Sequence, residues 1–319
     1  MAAAPEAFLP ELVALLHVQP EDLEDILAEE KLSWASLLSW DFSPSADLVR
    51  RFLRIQALSG YALRHAGRYV GYVYYVSEER KGLIGDLYLL RDFATTQNED
   101  YLLAAVLNDL AASPIITRVE AQLMMLHGPF ERPMPLSAHA HVYPRLFMLA
   151  ATDEVSALPA AELPVHFEAW EERRQEEMAL VISAAYQGHV DSSINDQYRS
   201  YPGAKRFLHN IVQYPGCGNF NVTASLTATV NGRVAGLVLT SLVGARTGHI
   251  TQVCVTPEWK GRRLGYELLR RSMLLLADAG CEKVSLTVTA SNTGAIALYQ
   301  GMGFRSVRRF AAYVWDGLT

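Results

Sequence analysis

One continuous stretch, residues 249–304, constrains the fold of this chain more than any other part of the sequence. Apolar residues alternate in HITQVCV (249–255), recur at helical spacing in ELLRRSMLLLADAG (267–280), and alternate again in EKVSLTVTA (282–290). Alternation predicts a strand, and a spacing of three to four residues predicts an amphipathic helix. The stretch is therefore predicted to form strand, turn, helix, strand, and then a second turn and helix.

The turn between the first strand and the helix, TPEWKGRRLG (256–265), combines glycine with positive charge. Gly261 and Gly265 let the backbone curl close to a ligand. The first N–H groups of the following helix point back at this turn, where the positive end of the helix dipole favours an anion. Three basic side chains add charge that suits phosphate: Lys260, Arg262 and Arg263. The turn is predicted to bind a pyrophosphate, and a solvated basic helix start is the alternative.

Taken together, the motifs of this stretch resemble those of the GCN5-related N-acetyltransferase (GNAT) family. The resemblance rests on Val255-x-Pro257, on the glycine turn, and on Asn292 and Tyr299 in the segment that follows the second strand. In one respect the sequence departs from the family, because Arg263 stands where the turn has its middle glycine. The resemblance implies acetyl-coenzyme A as co-substrate. The implied contacts with it are Val253, Cys254, Val255, Lys260, Gly261, Arg262, Arg263, Leu264, Gly265, Asn292 and Tyr299.

The resemblance also implies roles in catalysis. A backbone N–H of the Val253–Val255 segment would polarise the thioester carbonyl, and Tyr299 would protonate the leaving thiolate. Plain core packing is the alternative for each of these residues, and capping of the following helix is the alternative for Asn292. No glutamate occupies the family positions of the base. His249 is predicted as the base because imidazole titrates near about 6.5, on a strand face shared with Thr251 and Val253; a solvent-facing histidine and a water chain are the alternatives.

The acceptor site is expected in GHVDSSINDQYRSYPGAKRFLHN (188–210), the segment that shapes it in the family. We predict substrate contacts from His189, Asp191 and Tyr201, with Asp191 or Asp196 holding a cationic amine. Ordinary loop surface is the alternative. The acceptor is a small-molecule or peptide amine that the sequence does not identify.

An order of helix, hairpin, strand, helix, strand, strand occurs twice. The first hairpin is 61–76 and the second is 221–243, which turns at Asn231-Gly232. We therefore predict an α/β fold with α+β character and mixed sheets, built as two tandem GNAT folds with domains 1–156 and 165–319. The first copy is expected to be degenerate because RDFATTQNED (91–100) lacks glycine. This tandem organisation resembles that of mycothiol synthase. Residues 1–58 and 168–186 are predicted to be helical.

Charge and composition narrow the classes of partner. The net charge of −6 argues against a nucleic-acid or membrane-surface binder. No apolar run approaches the ~18–20 residues of a membrane helix, and the N-terminus lacks the basic region of a signal peptide. Three scattered cysteines have no metal spacing. We expect a cytoplasmic protein without metal, as a monomer or homodimer.

The sequence favours an acetyl-coenzyme A-dependent N-acetyltransferase whose C-terminal half does the chemistry. Acetylation of a small aminoacyl or amino-sugar thiol, by similarity to mycothiol synthase, is one alternative. A non-catalytic acyl-coenzyme A sensor or interaction module is another, since the base glutamates are missing and Arg263 replaces a glycine.

Overall fold

A computed structural model describes residues 10–214 and 216–318. The chain forms two compact units. The first unit contains the described residues of Met1–Ser33, Phe42–Pro144 and Phe310–Thr319, and the second contains Trp34–Asp41 and Arg145–Arg309. Each unit is therefore assembled from segments that are far apart in sequence.

The strands and helices follow one another in both units in similar order. The strands are β1 (Glu11–Ala14), β2 (Ser59–His65), β3 (Arg68–Glu78), β4 (Lys81–Leu89), β5 (Arg118–Leu123), β6 (Ala140–Ala151), β7 (His166–Ala169), β8 (Asn219–Phe220), β9 (Leu226–Val230), β10 (Arg233–Gly244), β11 (Thr247–Val255), β12 (Lys283–Thr289) and β13 (Arg305–Asp316). The helices are α1 (Glu24–Leu38), α2 (Ser43–Arg54), α3 (Thr96–Ala111), α4 (Gln175–Ala185), α5 (Asp191–Ile194), α6 (Tyr201–Gln213), α7 (Leu264–Asp278) and α8 (Thr293–Gly301).

Both units are built on a mixed sheet. In the first the strand order is β1-β2-β3-β4-β5-β13, and only β4 and β5 are parallel. In the second the order is β7-β9-β10-β11-β12-β6, and only β11 and β12 are parallel. The parallel pairs are the ones joined through a helix, α3 or α7, because a parallel connection needs a crossover whereas a hairpin needs only a short turn. The predicted mixed fold, present twice, is confirmed.

The last strand of each sheet is not the one that the repeated order of elements would supply. Strand β6 directly follows β5 in sequence, yet its residues Arg145–Ala151 pair with β12 of the second unit. Conversely, Ala311–Asp316 of β13 pair with β5 of the first unit. The contiguous domains 1–156 and 165–319 remain a prediction, while the compact units exchange these strands. Apolar alternation shows that a segment is a strand but does not specify its partner.

Two short strands lie where the sequence predicted helix. Strand β1 falls within the predicted helical segment 1–58, of which residues 1–9 lie outside the described residues, and β7 falls at the start of predicted helix 168–186. Each is four residues long and pairs with one neighbour, β2 or β9. Four residues are too few for the strand period to be told from the helical one, so these predictions were wrong there.

The sheet of the second unit is covered by helices on both faces. On one face α7 buries Leu268, Met273 and Leu276 completely. On the other face α4 and α6 bury Met178, Ile182 and Leu208. Among the helices of the described chain, none has the length and apolar character needed to cross a bilayer.

Candidate active site

Strands β11 and β12 run side by side over only part of their length. Their parallel pairing ends at Ile250 and Leu286, whereas β11 continues to Val255 and β12 to Thr289. Beyond that point each strand stays paired with its outer neighbour, β10 or β6. A wedge therefore opens between the two strands. Backbone groups along its two edges have no strand to bond and are available to a ligand.

A β-bulge sets which side chains face the wedge from β11. Gln252 and Ile250 pair with consecutive residues of β10, so Thr251 is an extra residue that interrupts the alternation. His249 consequently shares a face with Gln252, towards α4, while Val253 packs on the opposite face against the core beside α7. The prediction that His249 shares a face with Thr251 and Val253 assumed strict alternation and was wrong.

The Gln252 side chain lies at the edge of the wedge and is only 5% exposed. Its Oε1 accepts hydrogen bonds from the Tyr186 hydroxyl at 2.7 Å and from the Val253 backbone N–H at 3.1 Å. A backbone N–H can only donate, which assigns the oxygen to this position and leaves Nε2 as the other atom. Nε2 is buried without a hydrogen-bond partner. One N–H of the Val253–Val255 segment, in which the donor to the thioester was predicted, is thus engaged by a neighbouring side chain.

The turn before α7 closes without the middle glycine of the family pattern. Arg263 adopts the left-handed conformation, with φ 63° and ψ 8°, at the N-cap of α7. A non-glycine residue in this conformation costs about 1 kcal/mol, and the Arg263 guanidinium lies over the Tyr266 ring at 4.8 Å. No side chain caps this helix end. The first N–H groups of α7 therefore remain directed at the turn.

The glycines and basic residues of the turn occupy different positions. At Gly261, where φ is 74°, nothing lies within 4 Å of an added Cβ, and at Gly265 the nearest atom is 4.0 Å away. Arg262 is exposed and lies over the Trp259 ring, whereas Lys260 donates to the carbonyl of Ala185 at 3.2 Å. The turn before α7 thus combines open space at its glycines, positive charge and the first N–H groups of the helix, and this combination fits a diphosphate.

Leu264 and Cys254, two of the predicted contact residues, have buried side chains. Leu264 is fully buried and anchors the start of α7 in the core. Cys254 is 8% exposed, and burial raises the pKa of its thiol to about 12. Neither side chain offers polar chemistry, so only their backbone groups are available to a ligand.

Tyr299 lies on α8 and is 8% exposed. Burial, followed by the negative charge of Asp191, raises the pKa of its phenol to about 12, while the charge of Arg145 acts in the opposite direction. The phenol is therefore protonated throughout the physiological range and acts as a hydrogen-bond donor. The charges of Asp191 and Arg145 therefore both reach the Tyr299 hydroxyl.

Three of the predicted residues meet next to the end of β12. Thr289 donates to Asp191 Oδ1 at 2.5 Å, and the Asp191 N–H donates to His189 Nδ1 at 3.1 Å. Asn292 caps α8 through the Ala295 N–H at 3.2 Å and places its Nδ2 3.3 Å from His189 Nε2. A neutral imidazole accepts at one nitrogen only, so with Nδ1 accepting, the contact with Asn292 is not a hydrogen bond. Both interpretations of Asn292, helix cap and member of the site, are compatible with this geometry.

His249 is buried inside the sheet rather than exposed to an acceptor. It is 5% exposed, its Nδ1 lies 2.9 Å from Ser285 Oγ, and its ring contacts Trp40 and Phe147. Burial, aided by the positive charge of Arg145, lowers its pKa to about 3. Such a ring is a weak base at neutral pH, so the geometry opposes the predicted catalytic role.

Arg145 is a site residue that the sequence analysis did not single out. It lies on β6 opposite Thr289 and donates from Nη2 to the Thr287 hydroxyl at 3.1 Å. The feature of the sequence that could have identified it is a single charged residue inside the otherwise apolar strand YPRLFMLA (143–150). Tyr201, in contrast, begins α6 and packs against the apolar core of α4 and α6. None of its described contacts joins the cluster around Asp191.

The described residues contain no group of three or more His, Cys, Asp or Glu side chains placed to hold a metal ion.

Comparison with known proteins places this site in a family. Residues 190–304 match the model of the Acetyltransferase (GNAT) family. The N-alpha-acetyltransferase MAK3 of Arabidopsis thaliana is 35% identical over 71 residues, which make up 22% of this chain and 37% of that protein. The mycothiol acetyltransferase of Corynebacterium jeikeium is 33% identical over 70 residues, or 22% of this chain and 20% of that protein. The chain thus matches well under two thirds of the length of these relatives.

Among solved structures, the fold is shared over the whole chain. The tandem GNAT protein from the clavulanic acid biosynthesis pathway superposes with a TM-score of 0.56 at 16% identity, covering 97% of this chain and 99% of that one. At this identity the likeness establishes the fold alone. Residues 190–304 of the second unit thus match the Acetyltransferase (GNAT) family, and the chain has the fold of a tandem GNAT protein.

Proposed function

We propose that the second unit transfers an acetyl group from acetyl-coenzyme A to a primary amine, by direct attack of the amine in a ternary complex. One observation carries the proposal: the wedge between β11 and β12 opens directly before the uncapped start of α7. An extended thioester arm fits the strand edge while its diphosphate fits the turn. The acetyltransferase names of the two sequence relatives agree with this reaction.

The chain's own residues would hold the co-substrate in two places. The first N–H groups of α7, with Arg262 and Arg263 beside them, bind the diphosphate between the open backbones of Gly261 and Gly265. The Val253–Val255 edge of the wedge pairs with the pantetheine arm. Once bound, acetyl-coenzyme A supplies an acetyl group activated as a thioester.

Acetyl transfer requires one proton to leave the amine and one to reach the sulfur. The amine nitrogen bonds to the acetyl carbon as the carbon–sulfur bond breaks. Tyr299, protonated at neutral pH, donates towards the departing sulfur. Asp191 attracts the ammonium form of the acceptor to the same place. The ammonium loses one proton to give the attacking amine and a second as the amide forms, and we assign the removal of both to a chain of water molecules. Burial, which lowers the pKa of His249 to about 3, argues against this residue as the base.

A second candidate, a non-catalytic acyl-coenzyme A sensor, is favoured by the Gln252 side chain. Its Oε1 occupies the N–H of Val253, which belongs to the Val253–Val255 segment expected to supply the donor that polarises the thioester. Catalysis requires either that this bond opens or that another donor replaces the N–H. A sensor requires neither.

The remaining possibilities for the reaction differ in the chemical class of the acceptor amine. Peptide N-termini and small aminoacyl or amino-sugar thiols are suggested by the names of the two relatives. We propose that the acceptor is a small molecule or a peptide. We also propose that the protein is a cytoplasmic monomer or homodimer.

The experiment that tests the function measures release of the coenzyme A thiol from acetyl-coenzyme A. The full chain is assayed against peptides, amino acids, amino sugars, aminoacyl thiols and polyamines. Turnover that depends on an amine is expected. Tight binding of acetyl-coenzyme A with no turnover on any amine would instead establish the sensor.

A further inference from the structure

Arg145 differs from other buried arginines of this protein in having no acidic partner. It is 9% exposed, its Nη2 donates to the Thr287 hydroxyl, and its Nε is buried without a hydrogen-bond partner. Within residues 10–214 and 216–318, no carboxylate lies at ion-pair distance from it. By contrast, the buried Arg118 pairs with Glu120 and Asp316. A buried guanidinium without an anion is costly, because desolvation is not repaid by attraction.

The position of Arg145 connects it to the wedge. Its partner Thr287 lies on the part of β12 that has diverged from β11. Its positive charge acts on the hydroxyl groups of both Tyr299 and Tyr198. The guanidinium therefore lies on the face of the sheet that carries Thr287 and Thr289, where the acceptor is expected, and its charge reaches the proposed acid.

Gln252 provides a second unpartnered donor on the opposite strand of the wedge. Its Oε1 is held by Tyr186 and Val253, which directs the buried Nε2 away from both. Two buried donors, Arg145 Nε and Gln252 Nε2, thus lack acceptors on the same face of the sheet. Unpaired buried donors are rare in folded proteins and here point to an oxygen-bearing ligand.

Asp191 supplies the complementary charge. Its carboxylate accepts from Thr289, which is the residue directly opposite Arg145 in the β6–β12 pairing. A guanidinium and a carboxylate on either side of Thr289 fit a molecule that carries both an anionic group and an ammonium. One cation balances the single charge of a carboxylate, whose two oxygens match the planar guanidinium fork. A phosphate would bring about two negative charges next to Asp191.

We propose that the acceptor is a primary amine bearing a carboxylate a few bonds from the nitrogen. Arg145 binds the carboxylate, Gln252 Nε2 donates to it, and Asp191 receives the ammonium. The inference rests on the proposed acetyltransferase function and names the chemical class of its substrate.

The test uses pairs of amines that differ only in the carboxylate. Each α-amino acid is compared with its amide, and each ω-amino acid with the corresponding alkylamine. For the best pair we expect kcat/KM to favour the carboxylate by about 10- to 100-fold, the range for hydrogen bonds to a charged group. The preference is expected mainly in KM, because the carboxylate binds equally before and during transfer.

Variants of Arg145 distinguish an anchor from a structural arginine. Arg145→Gln is expected to abolish the preference, because kcat/KM falls more for the carboxylated amine than for its amide or alkylamine partner. Arg145→Lys retains part of the preference because the charge remains. Arg233→Gln, at an exposed arginine of β10, is the matched control and leaves the preference intact. Coenzyme A affinity and the unfolding midpoint, measured for each variant, verify that the fold persists.

Failure of this inference can be separated from failure of the proposed function. Turnover of amines with no preference for a carboxylate, or an equal loss on both members of a pair in Arg145→Gln, overturns the carboxylate anchor and keeps the acetyltransferase. If no amine turns over, calorimetry with coenzyme A present decides. Binding of the carboxylated amine to wild type but not to Arg145→Gln supports the anchor in a sensor, and absence of such binding overturns it.

Discussion

The two units share a strand frame yet differ in what that frame exposes. In the first unit the pairing of β4 with β5 ends at Ile84, although β4 continues to Leu89. An extra residue, Gly85, interrupts the β3–β4 pairing just as Thr251 interrupts β10–β11. After each bulge a side chain accepts from the next backbone N–H: Asp86 from Leu87 at 2.8 Å in the first unit, and Gln252 from Val253 at 3.1 Å in the second. A divergent pair of strands is therefore common to both units and does not distinguish them.

The helix that follows the wedge is the first difference. In the first unit Thr95 caps α3 by accepting from the Asn98 N–H at 3.2 Å, and Asn98 Nδ2 donates to Phe93 O at 2.8 Å. In the second unit α7 has no side-chain cap, and Arg263 holds the left-handed turn. The first unit thus satisfies its own helix end, while the second leaves N–H groups for an anion.

The lining of the wedge is the second difference. In the first unit Asp86 and Glu30 are both buried, and Tyr72 donates to Glu30 at 2.8 Å. Burial raises the pKa of Asp86 to about 6. At the position of Asp86 the second unit has the neutral Gln252. Buried acids repel an anionic or thiolate ligand, so this lining and the capped helix both disfavour coenzyme A in the first unit.

The largest effect is expected from removing the hydroxyl of Tyr299. Tyr299→Phe should lower kcat by about 10³-fold, equivalent to about 4 kcal/mol, because the departing sulfur loses its proton donor. Coenzyme A affinity should change little. Tyr72→Phe is the control in the first unit and should leave kcat unchanged; an equal loss in both variants would show that the chemistry is not confined to the second unit.

Replacing the buried acid of the first unit is expected to stabilise it at neutral pH. The pKa of Asp86 is raised from 3.8 to about 6 on folding, so its contribution is favourable below pH 3.8 and is lost as pH rises through about 6. Asp86→Asn keeps a side-chain oxygen that accepts from the Leu87 N–H and removes the ionisable group. The free energy of unfolding should rise by about 3 kcal/mol at pH 7. Amide hydrogen exchange of β4 at several pH values measures the gain, which should shrink towards about pH 4. A gain that is constant with pH would assign the pKa shift to another group.

A negative charge at the start of α7 should weaken coenzyme A binding. Gly265→Glu places a carboxylate beside the diphosphate and is expected to raise Kd about 30-fold, or about 2 kcal/mol. Gly265→Gln controls for bulk and should have a smaller effect. Gln97→Glu, at the same helical position of α3, should not alter Kd. A matching loss in Gln97→Glu would mean that the first unit also binds coenzyme A.

His249 should give the second unit the opposite dependence on pH. Its pKa is lowered from 6.5 to about 3 on folding, so its contribution is present above pH 6.5 and decreases as pH falls towards about 3. Between pH 6.5 and 5.5 this loss is about 1 kcal/mol. His249→Phe retains a ring against Trp40 and should not show it in urea titrations. Identical pH profiles for the variant and wild type would contradict the buried neutral ring.

The sequence predicted those parts of the site whose residues are near neighbours in the chain. The β11–α7–β12–α8 order and the turn at Gly261 follow from local periodicity and spacing, whereas Asp191 was predicted near the site only by the resemblance to the family. Arg145 could not be placed this way, because it meets Thr287 only through the exchange of β6 into the second sheet. His249 was assigned to the wrong face because a bulge has no reliable signature in apolar alternation.

The exchanged strands also have a consequence for synthesis on the ribosome. When β5 has emerged, the strand that closes its sheet, Arg305–Asp316, has not yet been translated. Strand β5 therefore keeps an unpaired edge until β13 has been translated. An unpaired strand edge is prone to aggregation. A gene cut between the two repeats would give halves that each lack a native closing strand, whereas co-expressed halves could restore one another.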